Sequence, residues 1–379
     1  MMSSSDTGCY ADGLPGPVIE VSAPKNGIEF GDCKAAAVYE CSTGTLLAGK
    51  NEDRSLPIGH LAKLMTFLLA AEKIESGELS SSDTAVCSAY ANSQREPQIW
   101  LGIGEKISVG ELMRSVSVGN ANDACVCLAE KICGSEQAYV DAANRKASLL
   151  DMSDASFSDC TGMSDETKAS AADICKLCSE LVKYEDFSGN FTTWMDSVRN
   201  GRAELVSRNR LIRSYKGIRG FKVCSSGASG ECAAVCADRS GMTVCAVVLG
   251  AENEDDLLEL SKKLLDSAFS AFEIYYPEIP EEAAEDIDVI RGVKGKCSTE
   301  FKNLSPVMIR KGEYSSINCT FDRAENVEAP VRKGCPVGSI TFDIDGRIII
   351  TSAICAGEDV AEVDLGFSFK RVLYNLLHL

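Results

Sequence analysis

Two apolar hairpins at opposite ends of a long helical stretch constrain this chain most. Ala35-Ala-Ala-Val-Tyr39 and Leu46-Leu-Ala48 flank Ser42-Thr-Gly44, which predicts two strands joined by a glycine turn. A second hairpin is predicted over residues 231–237 and 242–249, joined by Asp238-Arg-Ser-Gly241. Between them, Leu64, Met65, Leu68 and Leu69 fall at helical spacing in a segment running from Leu61 to Gly77. Helical patterning continues through 109–133, 136–150 and 170–182. After the second hairpin, Leu257, Leu260, Leu264, Leu265, Ala268, Phe269 and Phe272 form one apolar stripe, the mark of an amphipathic helix. The expectation is an α+β domain, a helical cluster packed on an antiparallel sheet.

Residues 275–285 carry two prolines and a burst of acids, a composition shift that reads as a linker. The boundary is placed near 280, giving domains 1–280 and 281–379. Beyond it, short segments at 307–310, 338–342 and 348–352 alternate with Gly, Pro and Asp turns, as in an all-β module. The 38 Lys and Arg against 56 Asp and Glu give a net charge of −18, which repels phosphate backbones and anionic headgroups. Nucleic acid is not an expected partner. No apolar run approaches the ~20 residues needed to span a bilayer, and residues 1–13 show neither a basic nor an apolar region of a secretory signal. At the other end, Phe369, Val372, Leu373, Leu376 and Leu377 share one face of a possible terminal amphipathic helix, which allows at most peripheral membrane contact.

The chain is cysteine-rich, with 18 cysteines spread along its length. Most sit inside apolar runs, as buried free thiols acting as small hydrophobes do. Cys175-Lys-Leu-Cys178 is a lone CxxC within a helical pattern, with no second pair or histidine near it in sequence. It reads as core rather than as a zinc or redox site. No metal and no cofactor is assigned.

Chemistry concentrates at Pro57-Ile-Gly-His60-Leu-Ala-Lys63, entering the first helix. Together with Asn120-Ala121-Asn122, Lys222-Val223-Cys224, and landmarks such as Cys160-Thr-Gly162 and Asn209-Arg-Leu-Ile212, this stretch resembles the low-molecular-mass penicillin-binding proteins. These are the serine D-alanyl-D-alanine carboxypeptidases, and the likeness is strongest to their sporulation-associated clostridial and bacillar type. Ala329-Pro-Val-Arg-Lys-Gly334 resembles the family's C-terminal β-sandwich module. The resemblance implies a transpeptidase/β-lactamase-like fold, trimming of peptidoglycan stem peptides, and an extracytoplasmic, wall-associated location.

It also implies three motifs, and each is altered here. The family's S-x-x-K uses the serine as nucleophile and the lysine as its base; this chain has His60 and keeps Lys63. In place of S-x-N stands Asn120-Ala121-Asn122, so the relaying hydroxyl is gone while the substrate-orienting amide of Asn122 remains. In place of K-T-G stands Lys222-Val223-Cys224, which keeps the substrate-binding lysine without the hydroxyl that would meet a carboxylate. Ser55 precedes the helix and Ser225 has no lysine at the required spacing, so neither replaces the nucleophile. The expectation is a pseudoenzyme that binds stem peptides ending in D-Ala-D-Ala, or a protein partner; the alternative is an active carboxypeptidase. A minor alternative is new Cys/His chemistry, since His60, Lys63, Lys222 and Cys224 could converge on one pocket. Lys63 and Lys222 have no matching acid in these motifs, so the cleft is expected to attract a carboxylate.

Overall fold

The computed structural model describes residues 28–364 and 366, and the terminal helix expected at 369–377 lies outside them. Contacts divide the chain into two units, with the break between Glu273 and Ile274.

The first unit is built on a five-stranded sheet of β1 (Ala35–Glu40), β2 (Thr45–Lys50), β3 (Ile218–Ser226), β4 (Gly230–Arg239) and β5 (Met242–Ala251), in the order β2-β1-β5-β4-β3. Every neighbouring pair is antiparallel. The two hairpins therefore meet in one sheet, with Val38 opposite Ala246. Ala36 and Val38 are as deeply buried as Ala35 and Ala37, and Val244 and Ala246 as deeply as Cys245 and Val247. Such uninterrupted apolar runs fit a sheet covered on both faces rather than one half exposed to water.

The longer helices are α1 (Lys63–Glu75), α2 (Val109–Ser117), α3 (Asn122–Cys133), α4 (Glu136–Leu149), α5 (Ala171–Leu181) and α6 (Glu254–Ala271). α1 buries eight of its thirteen residues and packs against α2, α3, α4 and α5, the all-round burial of a central helix. α5 packs on β1, β4 and β5, and α6 packs on β1, β4 and β5 too. α5 starts at a capping box in which Ser170 and Asp173 satisfy each other's backbone N–H.

Two departures from the sequence expectations bear on the site. His60 does not lie on the α-helix: residues Gly59–Ala62 form a 3-10 turn, and α1 begins only at Lys63. The helical pattern over 109–133 is broken as well, because Asn120 takes a left-handed φ of 55° and separates α2 from α3.

In the second unit, β6 (Thr299–Lys302), β7 (Ile317–Arg323), β8 (Pro336–Ile344) and β9 (Arg347–Ala356) form an antiparallel sheet ordered β6-β9-β8-β7. A three-stranded sheet of Lys296–Cys297, Ile287–Ile290 and Asn326–Glu328 contributes Ile287 and Val289 to the same core as Ile340, Phe342 and Ile354. Tyr275, which composition assigns to a linker, is buried in this core with its ring 6.0 Å from Phe342 and 5.7 Å from Tyr314.

Candidate active-site cleft

Each of the three altered motifs is positioned by a different element. Lys63 is the first residue of α1, and its side chain is fully buried. The turn at Asn120 ends α2 and lets α3 start at Asn122, so Asn120 and Asn122 flank the same helix start. Lys222, Val223 and Cys224 lie on β3, the edge strand of the sheet.

The turn carrying His60 is clamped from outside by the segment 159–167. Asp159 accepts from Thr161 Oγ1, Thr167 Oγ1 and the backbone N–H groups of Gly162, Met163 and Ser164, tying that segment into a knot. Gly162, at φ 75°, brings its Cα so near Gly59 O that a Cβ would sit 1.8 Å from that oxygen. Only glycine permits this approach. On the other side, the Asn122 amide donates to Arg95 O (2.8 Å) and Glu96 O (3.2 Å), and Asp123 accepts from the N–H groups of Ile99 and Leu101. The start of α3 thereby holds the loop that brings Pro97 to the cleft.

The two lysines are linked through Asn120. Lys63 Nζ donates to Asn120 O (2.5 Å) and Asn122 Oδ1 (2.6 Å) and stands 2.9 Å from His60 Nδ1. Lys222 Nζ donates to Asn120 Oδ1 (2.5 Å), Val116 O (2.6 Å) and Ser117 O (3.1 Å). Each ammonium thus has three protons and three acceptors. This corrects the expectation of two unmatched charges: both are satisfied by carbonyl and amide oxygens and the imidazole, with no acid needed. Burial still lowers their basicity, Lys63 to about 8 and Lys222, with Lys63 beside it, to about 7.

His60 feels the same neighbours. Burial first, then the Lys63 charge, drive its pKa down to about 3, so the ring is neutral at physiological pH. Nδ1 also lies 3.0 Å from Thr161 O, and it cannot both donate there and accept from Lys63. While Lys63 is an ammonium, its third proton fills the Nδ1 lone pair, and the ring hydrogen then resides on Nε2.

The cleft itself has a volume of about 280 Å³ and is lined by His60, Pro97, Gly119, Asn120, Val206, Arg208 and Ser225. His60 and Asn120 line it directly, while Lys63 and Lys222 lie buried beneath it. Val223 is 1% exposed, its carbonyl 3.5 Å from the Asn120 amide. Cys224 is buried too, its thiol directed at Ile58 O, 3.8 Å away, and pushed up to about 11 by burial despite the nearby Lys222. A Cys/His pair therefore lacks support: the ring's one free lone pair, on Nδ1, is filled by Lys63, and burial holds the thiol in its protonated form.

Of the cleft residues that the sequence does not single out as functional, two are polar. Arg208 lies between Val206 and the Asn209 landmark, and its guanidinium is held by Glu231 (3.1 Å) and Glu254 (2.5 Å). Ser225 was dismissed for its lysine spacing, yet it is the hydroxyl residue that β3 presents to the cleft. Ser55 stays apart, donating to Asp154 O. A larger groove of about 830 Å³ in the second unit carries Arg291 and Arg323, but these are paired with Glu328 and Glu285.

Comparison with known proteins places the chain among relatives by sequence and fold. Residues 22–253 match the D-alanyl-D-alanine carboxypeptidase family, and residues 281–362 match the penicillin-binding protein 5 C-terminal domain. The D-alanyl-D-alanine carboxypeptidase DacF of Bacillus subtilis is 30% identical over 347 residues, covering 90% of this chain and 89% of its own. The D-alanyl-D-alanine carboxypeptidase DacC of Escherichia coli is 25% identical, covering 90% and 86%. Among solved structures, penicillin-binding protein 5 from Haemophilus influenzae superposes with a TM-score of 0.77 at 22% identity, over 87% of this chain and 98% of its own.

Proposed function

The chain belongs to the D-alanyl-D-alanine carboxypeptidase family, and we propose that it is a non-catalytic member whose cleft holds peptidoglycan stem peptides ending in D-Ala-D-Ala. The observation that carries this reading is the 2.9 Å contact of Lys63 Nζ with His60 Nδ1, in a ring that burial keeps neutral, at the place where the family's serine is expected; with Nδ1 accepting from Lys63, the ring proton falls on the other nitrogen. Such a ring offers no lone pair to a carbonyl carbon and no hydroxyl for Lys63 to deprotonate. Asn120 then ties the two lysines together where a relaying hydroxyl would be needed. Nucleophile and base act as a unit, so losing the nucleophile costs on the order of a millionfold in turnover.

Binding survives such losses more readily than chemistry does. With Lys222 satisfied from below, the groups left to meet a terminal carboxylate are Arg208 and Ser225 at the cleft wall. Arg208 is already ion-paired with both Glu231 and Glu254, so the affinity is weak, on the order of millimolar. The protein acts outside the cytoplasm at the cell wall, where such peptides are found, and a protein partner docked on the same unit is compatible with that role. No described helix is long and apolar enough to cross a membrane.

Intact-mass spectrometry after incubation with excess benzylpenicillin tests the reading. Unmodified protein is expected, with no D-alanine released from a D-Ala-D-Ala pentapeptide. A stoichiometric adduct mapping to any serine, or steady release of D-alanine, would identify an active carboxypeptidase instead. His60→Ser alone should restore neither signal, because Asn120 and Val223 remain.

A further inference from the structure

Five thiols gather in the core between α5 and the sheet, away from the cleft. Cys175 and Cys178 lie one helical turn apart on α5, and α5 packs on β1, β4 and β5. Cys236 on β4 and Cys245 on β5 sit directly opposite each other in the ladder. Cys41 follows β1. The Cys178, Cys236 and Cys245 sulfurs all lie within 4.8 Å of one another, and all three residues are 0% exposed. Cys175 touches Cys245, and Cys41 touches Cys236. The CxxC that lacks a second pair in sequence acquires one through the fold.

We propose that Cys178, Cys236 and Cys245 form a three-sulfur site for a single thiophilic d10 ion, Cu(I). Cluster composition selects the class: sulfur ligands without imidazole or carboxylate favour Cu(I), Zn(II) or iron–sulfur centres. Coordination number selects within it. Structural zinc and iron–sulfur clusters take four protein ligands, whereas three sulfurs converge here. Three ligands suit a monovalent ion in trigonal coordination. Binding involves no change of oxidation state: Cu(I) enters as Cu(I), each S–Cu bond replaces an S–H bond, and the displaced protons go to solvent. The bound ion would staple α5 to β4 and β5, so it should stabilise the folded chain by mass action.

The test delivers Cu(I), as a weak competing complex, to the reduced full-length protein while it refolds from guanidinium under anaerobic conditions, so that the ion reaches the sulfurs before the core closes. One ion should remain per chain after desalting, X-ray absorption should show three sulfur neighbours with no nitrogen or oxygen, and the thermal midpoint should rise. Cys178→Ser and Cys236→Ser should lose the ion and the rise, whereas Cys319→Ser, in the second unit, should keep both. No retained ion, retention unchanged in the two core variants, or a four-sulfur zinc site preferred over Cu(I) would overturn the proposal. If circular dichroism shows the core variants unfolded, the sulfur count in the wild-type protein decides alone.

Discussion

Lys222 and Lys63 show how a buried base can be satisfied in hydrogen bonds and still be costly. Each has three acceptors, yet neither has a counter-charge within bonding distance, so burial disfavours the ammonium form. Unfolded, Lys222 titrates near its ordinary 10.5; folded, it titrates at about 7. Below the folded value both states are protonated and the folded protein carries the whole cost. Between about 7 and 10.5 the unfolded chain binds a proton that the folded chain does not, so this contribution to stability rises with pH. Lys222→Met removes the titrating group. Chemical denaturation of both proteins at pH 7 and pH 9 should show the difference in unfolding free energy moving toward wild type by about 2 kcal/mol. The comparison cancels the many raised thiols, which act in the opposite direction above pH 9 and are common to both proteins. A gap that does not move with pH would mean that Lys222 keeps its charge in a solvated setting. His60 works in another window: its depressed value removes stability as the pH falls from 6.5 toward 3, the range in which the unfolded ring protonates first.

At the scale of elements, the cleft depends on two chain segments that pass almost in contact. The Asp159 knot presents Gly162 to the turn that carries His60, and the Gly59 carbonyl occupies the space a side chain would need. Gly77 offers a matched control, since its φ of 78° is nearly that of Gly162 but nothing lies within 4 Å of its would-be Cβ. Gly77→Ala should therefore cost only the left-handed penalty, about 1 kcal/mol. Gly162→Ala must also displace backbone, and should cost at least ~2 kcal/mol more, read from thermal or urea unfolding. Equal losses in the two variants would show that the 159–167 segment yields freely and does not fix His60. The same scale explains what sequence patterning missed. Apolar spacing runs on from Val109 to Cys133 without a break, so the α2–α3 turn is invisible to periodicity, although Gly119-Asn120 is a recognisable stop signal. Arg208 was missed for a different reason: it joins the cleft through tertiary packing, and nothing in its local sequence announces that.

Across the whole molecule, the strands and the central helix were legible because hydrophobic period is a local property, and the three motifs rest on local spacing alone. The partners of those residues were not legible. That Lys222 bonds Val116 and Ser117, or that Cys178 meets Cys236 and Cys245, depends on sequence-distant elements docking. The cysteines illustrate both halves. Their place in apolar runs correctly suggested burial: 16 of the described cysteines are free thiols and only Cys33, Cys133 and Cys319 of these are half-buried, while Cys335 is in a disulfide. Burial raises the thiol pKa at most of these positions, Cys87 to about 11 and Cys127 to about 12 among them, which suppresses the reactive thiolate as well as access to it. Among the described cysteines, native protein treated with a thiol reagent at pH 7 should therefore react rapidly at no more than those three positions. The remaining free thiols should react only after unfolding in guanidinium, in one cooperative step that coincides with loss of helical signal. The protective element is the sheet with helices packed on it, so reactivity at Cys236 or Cys245 reports global opening rather than local fraying. Fast native labelling of either cysteine would show that α5 separates from the sheet while the rest stays folded.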